Sequence, residues 1–150
     1  MIQAIPYHAT FGIMASKEKI LDSIAYCGLV CDLCHIANEC DGCRNTANLC
    51  TSHSQHWGGC HHRNCCIEKK LDGCWECPVF PCDKDMFDTT VHGVKIRAYA
   101  RCIREDGKER FISYIMKNEK NSIKFGFQKD YDFLRSEHVV LELLRKGKKV

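Results

Sequence analysis

Cys27-Gly28-Leu29-Val30-Cys31-Asp32-Leu33-Cys34 places three thiols within eight residues, and the last two form a C-x2-C pair. The same spacing returns at Cys40/Cys43 and Cys74/Cys77, with Cys50, Cys60, Cys65, Cys66 and Cys82 interspersed. Twelve of the thirteen cysteines thus lie between residues 27 and 82, and only Cys102 stands apart. Two residues between thiols let one tight turn aim both sulfurs at a single ion, so three such pairs point to tetrahedral zinc. An iron-sulfur cluster and a disulfide framework are the competing readings.

The stretch around these thiols is poor in ordinary core residues. Apart from cysteine, residues 27–82 offer mainly Leu29, Val30, Leu33, Ile36, Leu49, Trp57, Ile67, Leu71, Trp75, Val79 and Phe80. So little apolar surface scarcely supports folding, and metal ligation is the expected substitute for the missing burial. Compartment decides between metal and disulfide. Residues 1–15 contain no Lys or Arg and no unbroken apolar run, so they do not read as a signal peptide. No apolar stretch approaches the roughly 18 residues that a membrane span requires. A reducing cytoplasm is therefore expected, where thiols bind metal. Residues 1–16 read as a loose tail, with Met14 as an alternative start.

The formal charge of +3 counts cysteines as neutral. Each zinc held by four thiolates adds a net −2, so two sites bring the chain to −1 and three to −3. Charge is also unevenly placed. Residues 1–82 hold 6 Lys/Arg against 8 Asp/Glu, and residues 83–150 hold 16 against 11. The cysteine-rich part is acidic and the C-terminal part mildly basic.

Residues 17–25 carry Ile20, Leu21 and Ile24 at helical spacing and predict a short helix leading into the first thiols. A continuing helix would put Cys27, Cys31 and Cys34 on one face; Gly28 weakens that helix, and a knuckle turn is the competing geometry. Residues 35–66 read as loop, with turn signals at Asp41-Gly42 and Gly58-Gly59. Beyond Cys82 the pattern turns helical. Residues 94–105 align Ile96, Tyr99, Ala100 and Ile103 on one face and Arg97, Arg101 and Arg104 on another. Gly107 interrupts or caps this helix, and residues 108–119 resume with Phe111, Ile112, Ile115 and Met116. Ile123, Phe125 and Phe127 alternate with polar residues as a strand-like or extended connector. A last helix is expected over residues 130–145, through Leu134, Leu141 and Leu144, with basic residues suited to a helix C-terminus. The predicted architecture is mainly α: a small metal-stapled loop module of zinc knuckles over residues 17–82, packed with about three helices over residues 83–150 as one structural unit.

The motifs carry a resemblance. Cys27-Gly28-Leu29-Val30-Cys31-Asp32-Leu33-Cys34, Cys40-Asp41-Gly42-Cys43-Arg44, Arg63-Asn64-Cys65-Cys66 and Cys74-Trp75-Glu76-Cys77-Pro78-Val79-Phe80-Pro81-Cys82 resemble, in that order, the cysteine-rich family called domain of unknown function 3795. The resemblance implies a small bacterial or archaeal metal-binding protein and brings no activity with it. Cys50 and the run His53, His56, His61, His62 look like additions to the pattern.

The expected metal ligands are drawn from Cys27, Cys31, Cys34, Cys40, Cys43, Cys60, Cys65, Cys66, Cys74, Cys77 and Cys82. Twelve clustered thiols divide into three four-thiolate sites, or into two with thiols to spare; two zincs are preferred, because Cys50 and one of the adjacent Cys65/Cys66 have the weakest claims. Cys66 reads equally well as a buried small hydrophobe, and Cys102 as a buried residue of its helix. His61 or His62 would complete a site of three thiolates and one imidazole, although loop histidines more often lie on the surface.

Cys27-x3-Cys31-x2-Cys34 also resembles the cluster-binding triplet of radical S-adenosylmethionine enzymes. Those enzymes need a large β/α barrel, only 116 residues follow Cys34, and Leu33 stands where they prefer an aromatic. A plain iron-sulfur redox or sensor centre stays open as the alternative. Cys74-Trp75-Glu76-Cys77 lacks the preceding strand and following helix of a thiol-disulfide exchanger, because Asp72-Gly73 precedes it and Pro78 follows. No G-x-S-x-G, P-loop or H-E-x-x-H motif is present. A nucleic-acid binder is the second alternative, resting on the Arg97/Arg101/Arg104 stripe, for which a solvated helix face is the plainer account. The sequence reading is thus a cytoplasmic protein with structural zinc that works by binding another protein rather than by turnover.

Overall fold

A computed structural model describes residues 17–34, 42–44 and 60–148. The described residues are mainly helical, and among them the one extended pairing is an isolated antiparallel bridge between Ile24 and Val30. Residues 17–22 form a short helical turn, as their apolar spacing predicts. Helix α1 spans His61–Lys69, α2 Val91–Asp106, α3 Lys108–Lys120 and α4 Glu137–Lys146. Short 3-10 turns occupy Cys31–Leu33, Cys74–Glu76 and Asp85–Phe87.

The last three helices form the larger core. One residue, Gly107, separates α2 from α3: its φ of 93° stops the first helix, its N–H donates to the Ile103 carbonyl at 2.8 Å, and its carbonyl accepts from Phe111 at 3.1 Å. Nothing lies within 4 Å of where a Cβ would sit, so the left-handed backbone alone requires glycine here. Tyr99 and Ile103 of α2, Phe111, Ile112 and Ile115 of α3, and Val140, Leu143 and Leu144 of α4 fill the space between them. Asn118 is buried at the end of α3, where its amide donates to the Tyr131 hydroxyl at 2.7 Å and to the Leu143 carbonyl at 2.9 Å. That satisfies a carbonyl near the C-terminus of α4 and ties the helix ends together. Arg145 closes the other side, reaching Asp106 at 2.9 Å and Glu105 at 2.7 Å.

Two expectations need correction. The final helix begins at Glu137 rather than at residue 130. Asp130 accepts from the Lys124 amide and Asp132 from the Gln128 amide, each at 2.6 Å, and these bonds fold residues 124–132 into turns. Gln128 and Phe133 have φ of 58° and 69°, and the helix starts only where the Ser136 hydroxyl accepts from the His138 amide at 3.2 Å. The connector at residues 123–125 has no regular secondary structure; Ile123 and Phe125 nevertheless pack onto the core, and Phe125 lies 5.1 Å from the Tyr99 ring.

The second correction is α1, which occupies part of the stretch expected to be loop. Its buried positions are His62 and Cys66, one turn apart, and neither registers as an apolar stripe. Its first amide, at His61, finds its acceptor in the Asp85 carboxylate at 3.0 Å. At its other end Lys70 takes a left-handed conformation, φ 60°, while the Leu71 amide donates to the Cys66 carbonyl at 2.8 Å.

Candidate functional site

A second, smaller core lies behind α2, and it is built largely of sulfur. Cys27, Cys66 and Cys74 are buried in it with Ala25, Phe87, Ile96 and Ala100, and Cys31, Cys43 and Cys82 pack against its edge. These thiols come from four separate segments of chain. None of the described cysteines forms a disulfide.

Local geometry explains how the segments meet. Each of the two described C-x2-C pairs sits on a 3-10 turn opened by its first cysteine, and the N–H of the second donates to the carbonyl of the first at 3.1 Å in both cases. The knuckle alternative to a continuous helix over Cys27–Cys34 is therefore the one observed. Gly28 brings this segment against α2: with φ 102°, any Cβ would stand 2.9 Å from the backbone nitrogen of Ala100. Larger residues there would push the first thiols off the helix.

Arginines join the pieces. The Arg44 guanidinium donates to the carbonyls of Ile24 and Asp72, each at 2.6 Å, and lies 4.3 Å over the Tyr26 ring. Arg63 of α1 donates to the Cys43 carbonyl at 2.6 Å, and the Cys74 amide donates to the Tyr26 carbonyl at 2.8 Å. Arg104 of α2 donates to the Cys77 carbonyl at 2.9 Å, and Arg101 and Arg104 stand 5.2 and 5.7 Å from the Phe80 ring centre. The basic stripe of the sequence is thus engaged internally, since Arg97 and Arg101 both also bind Glu137 at 3.1 Å. It is neither a plain solvated face nor a free row of cations.

Cys66 and Cys74 bring their Sγ atoms to 3.7 Å. His62 Nδ1 lies 3.3 Å from the Cys74 sulfur, and its Nε2 accepts the Met86 amide at 3.1 Å. The hydrogen bond between the two thiols holds the Cys66 thiol down against the effect of burial, helped by the positive charges of Arg44 and Lys69. The same bond, with desolvation, pushes the Cys74 thiol up. Burial pushes the Cys27 thiol up as well, with Cys60 and Cys31 nearby adding to the effect.

The predicted ligands are distributed as follows. Cys27, Cys60, Cys66 and Cys74 are buried, Cys31, Cys43, Cys65, Cys77 and Cys82 are half-buried, and Cys34 is exposed. Cys40, Cys50, His53 and His56 lie outside the described residues. Among the described residues no three His, Cys, Asp or Glu side chains stand together as a ligand set. Cys102 is fully buried in the helical core, 4.0 Å from Asp106. Sequence reasoning missed the turn Asp85–Phe87, which supplies partners to both His61 and His62; the Asp-Met-Phe triplet carries no signal that would have revealed it.

Residues 35–86 match the family model described as Protein of unknown function (DUF3795). The match covers about a third of the chain. It takes in Cys40 through Cys82 and runs on to Asp85 and Met86, the residues that hold α1 by its N-terminal end. Cys27, Cys31 and Cys34 precede the DUF3795 match, and Cys27 and Cys31 share a core with its Cys43, Cys66, Cys74 and Cys82. No curated protein and no solved structure matches the chain. No helix among the described residues is long and apolar enough to cross a membrane.

Proposed function

We propose that the DUF3795 region, together with the Cys27–Cys34 segment, is a zinc-binding structural module that serves to bind another protein in a reducing compartment. The observation that carries this reading is the pair of buried sulfurs at 3.7 Å, Cys66 and Cys74, left unjoined by a disulfide. Tetrahedral zinc with Zn–S bonds of about 2.3 Å needs sulfurs about 3.8 Å apart, so this edge suits the ion without rearrangement. Cys27 and Cys82, whose charges act on Cys74, are assigned as the further thiolates of this site. The remaining cysteines of the predicted ligand set supply a second ion.

Zinc answers a problem in this core. A buried thiolate without a counter-ion is costly, which is why burial pushes Cys27 and Cys74 up; a divalent cation deprotonates them and removes that cost. Sites closed by four thiolates leave no coordination position for a substrate, so the role is binding rather than turnover. Internal use of Arg97, Arg101 and Arg104 weighs against nucleic acid as the partner.

Elemental analysis of protein purified anaerobically tests the proposal. Zinc is expected near two ions per chain in a colourless protein. Cys66→Ser and Cys74→Ser each lower the zinc content, and Cys102→Ala leaves it unchanged. Visible charge-transfer absorption with bound iron overturns zinc in favour of a cluster. A reduced chain whose residues 27–82 stay folded in strong chelator overturns metal binding as the basis of the module.

A further inference from the structure

The two ring nitrogens of His62 have different partners, and together these fix where its proton lies. A backbone amide can only donate, so Nε2, accepting from Met86 at 3.1 Å, presents a lone pair and bears no hydrogen. A neutral imidazole carries its one proton on the other nitrogen. That nitrogen, Nδ1, stands 3.3 Å from the Cys74 sulfur, so the contact is an N–H donating to sulfur.

Two other roles are removed by the same geometry. His62 cannot act as the base of a cysteine-histidine pair, because accepting the Cys74 proton needs a lone pair at Nδ1, and the only lone pair is already turned to Met86. Nor can Nδ1 ligate a cation while it holds hydrogen. The ring is not free to swap its nitrogens: it is 1% exposed, lies 4.4 Å from the Phe87 ring and 5.4 Å from His61, and its amide partner is held in a turn that Asp85 anchors to α1.

We infer that His62 is a positioning residue for the sulfur pair, an outer donor whose Nδ1–H is held on Cys74 Sγ, and not one of the metal ligands. The inference rests on the zinc reading and adds to it the arrangement behind the ligands. An N–H on a coordinated thiolate orients the sulfur and draws off part of its charge, so metal held by Cys66 and Cys74 depends on a ring it does not touch. Placing His62 and Cys66 one turn apart on α1 lets a single helix deliver both the ligand and its neighbour's support.

The test uses full-length wild-type protein loaded with NMR-active cadmium in place of zinc and with isotope-labelled histidine nitrogens. His62 is expected to show hydrogen on Nδ1 and no scalar coupling to cadmium, while cadmium couples to the Cys74 β-protons. Cadmium coupling to a His62 nitrogen, or hydrogen on Nε2, overturns the inference and leaves the zinc reading intact. Protein that takes up no cadmium overturns the zinc reading itself, and this inference with it. His62→Phe supplies a second measure: zinc affinity, read by competition with a chromophoric chelator, is expected to fall about 10–100-fold. The visible bands of the cobalt-loaded variant are expected to stay where the wild type has them, because the ligand atoms are unchanged; displaced bands overturn the assignment.

Discussion

The two faces of α2 look onto cores of different make. On one side, Tyr99, Cys102 and Ile103 meet Phe111, Ile112, Ile115, Val140 and Leu144, a set of large side chains gathered mostly from three consecutive helices. On the other, Ile96 and Ala100 meet Phe87 and the thiols Cys27, Cys66 and Cys74, gathered from segments scattered along the chain. The first core is held by apolar area, which needs no partner from outside. The second draws in addition on backbone carbonyls bound by arginine, and in the reading proposed above on a cation. Burial suffices where helices supply wide apolar faces; where turns supply the residues, directed bonds take its place.

The contrast is sharpest in Phe111→Ala. Removing a fully buried ring from the helical core is expected to cost about 3–5 kcal/mol in urea unfolding, by the same amount in metal-loaded and chelated protein. A loss that disappears on chelation would mean the two cores are not separately sustained. The next effect in size comes from alkali. Burial pushes the Cys102 thiol up to about 12 from an ordinary 9.0. Above pH 9.0 the unfolded chain releases this proton while the folded chain keeps it, so stability falls as pH rises, by about 1.4 kcal/mol per unit, until the folded thiol titrates near 12. Cys102→Ala is expected to flatten this slope by one proton's worth in chelator-treated protein, with unfolding followed by circular dichroism. Ser136→Ala, which removes the cap of α4, is expected to cost about 1 kcal/mol and to leave metal content alone. Smallest is Arg104→Ala. Loss of its contact with Phe80 and its bond to the Cys77 carbonyl is expected to cost about 0.5–1 kcal/mol, and the decrease in zinc affinity that accompanies it measures how far the helical side supports the sulfur side.

Legibility in the sequence follows the same division. The helices around Gly107 are readable because Tyr99, Ile103, Phe111, Ile112 and Ile115 recur at helical spacing and face one apolar core. The C-x2-C turns are readable because thiol spacing encodes a turn as well as a ligand pair. Helix α1 is not, since the residues it buries, His62 and Cys66, are chosen for contacts with a thiol and an amide that come from elsewhere in the chain. The start of α4 is hidden for a related reason: Asp130 and Asp132 sit in a stretch whose spacing looks helical, yet their carboxylates hold amides six and four residues back and keep the backbone out of a helix. The arginine stripe was visible as a pattern while its partners, Phe80, Cys77 and Glu137, were not. Periodicity reports what faces a broad apolar surface; it is silent about side chains that each have one particular partner far along the chain.

Gly28 rests against the backbone of α2 at Ala100, and Ile96 and Ala100 form one wall of the chamber that contains the thiols. A fragment cut after Cys82 would keep all twelve clustered cysteines and yet leave that chamber open to water on one side. The clustered sulfurs all precede residue 83, but the wall that keeps Cys27, Cys66 and Cys74 dry is completed by the helix that follows them.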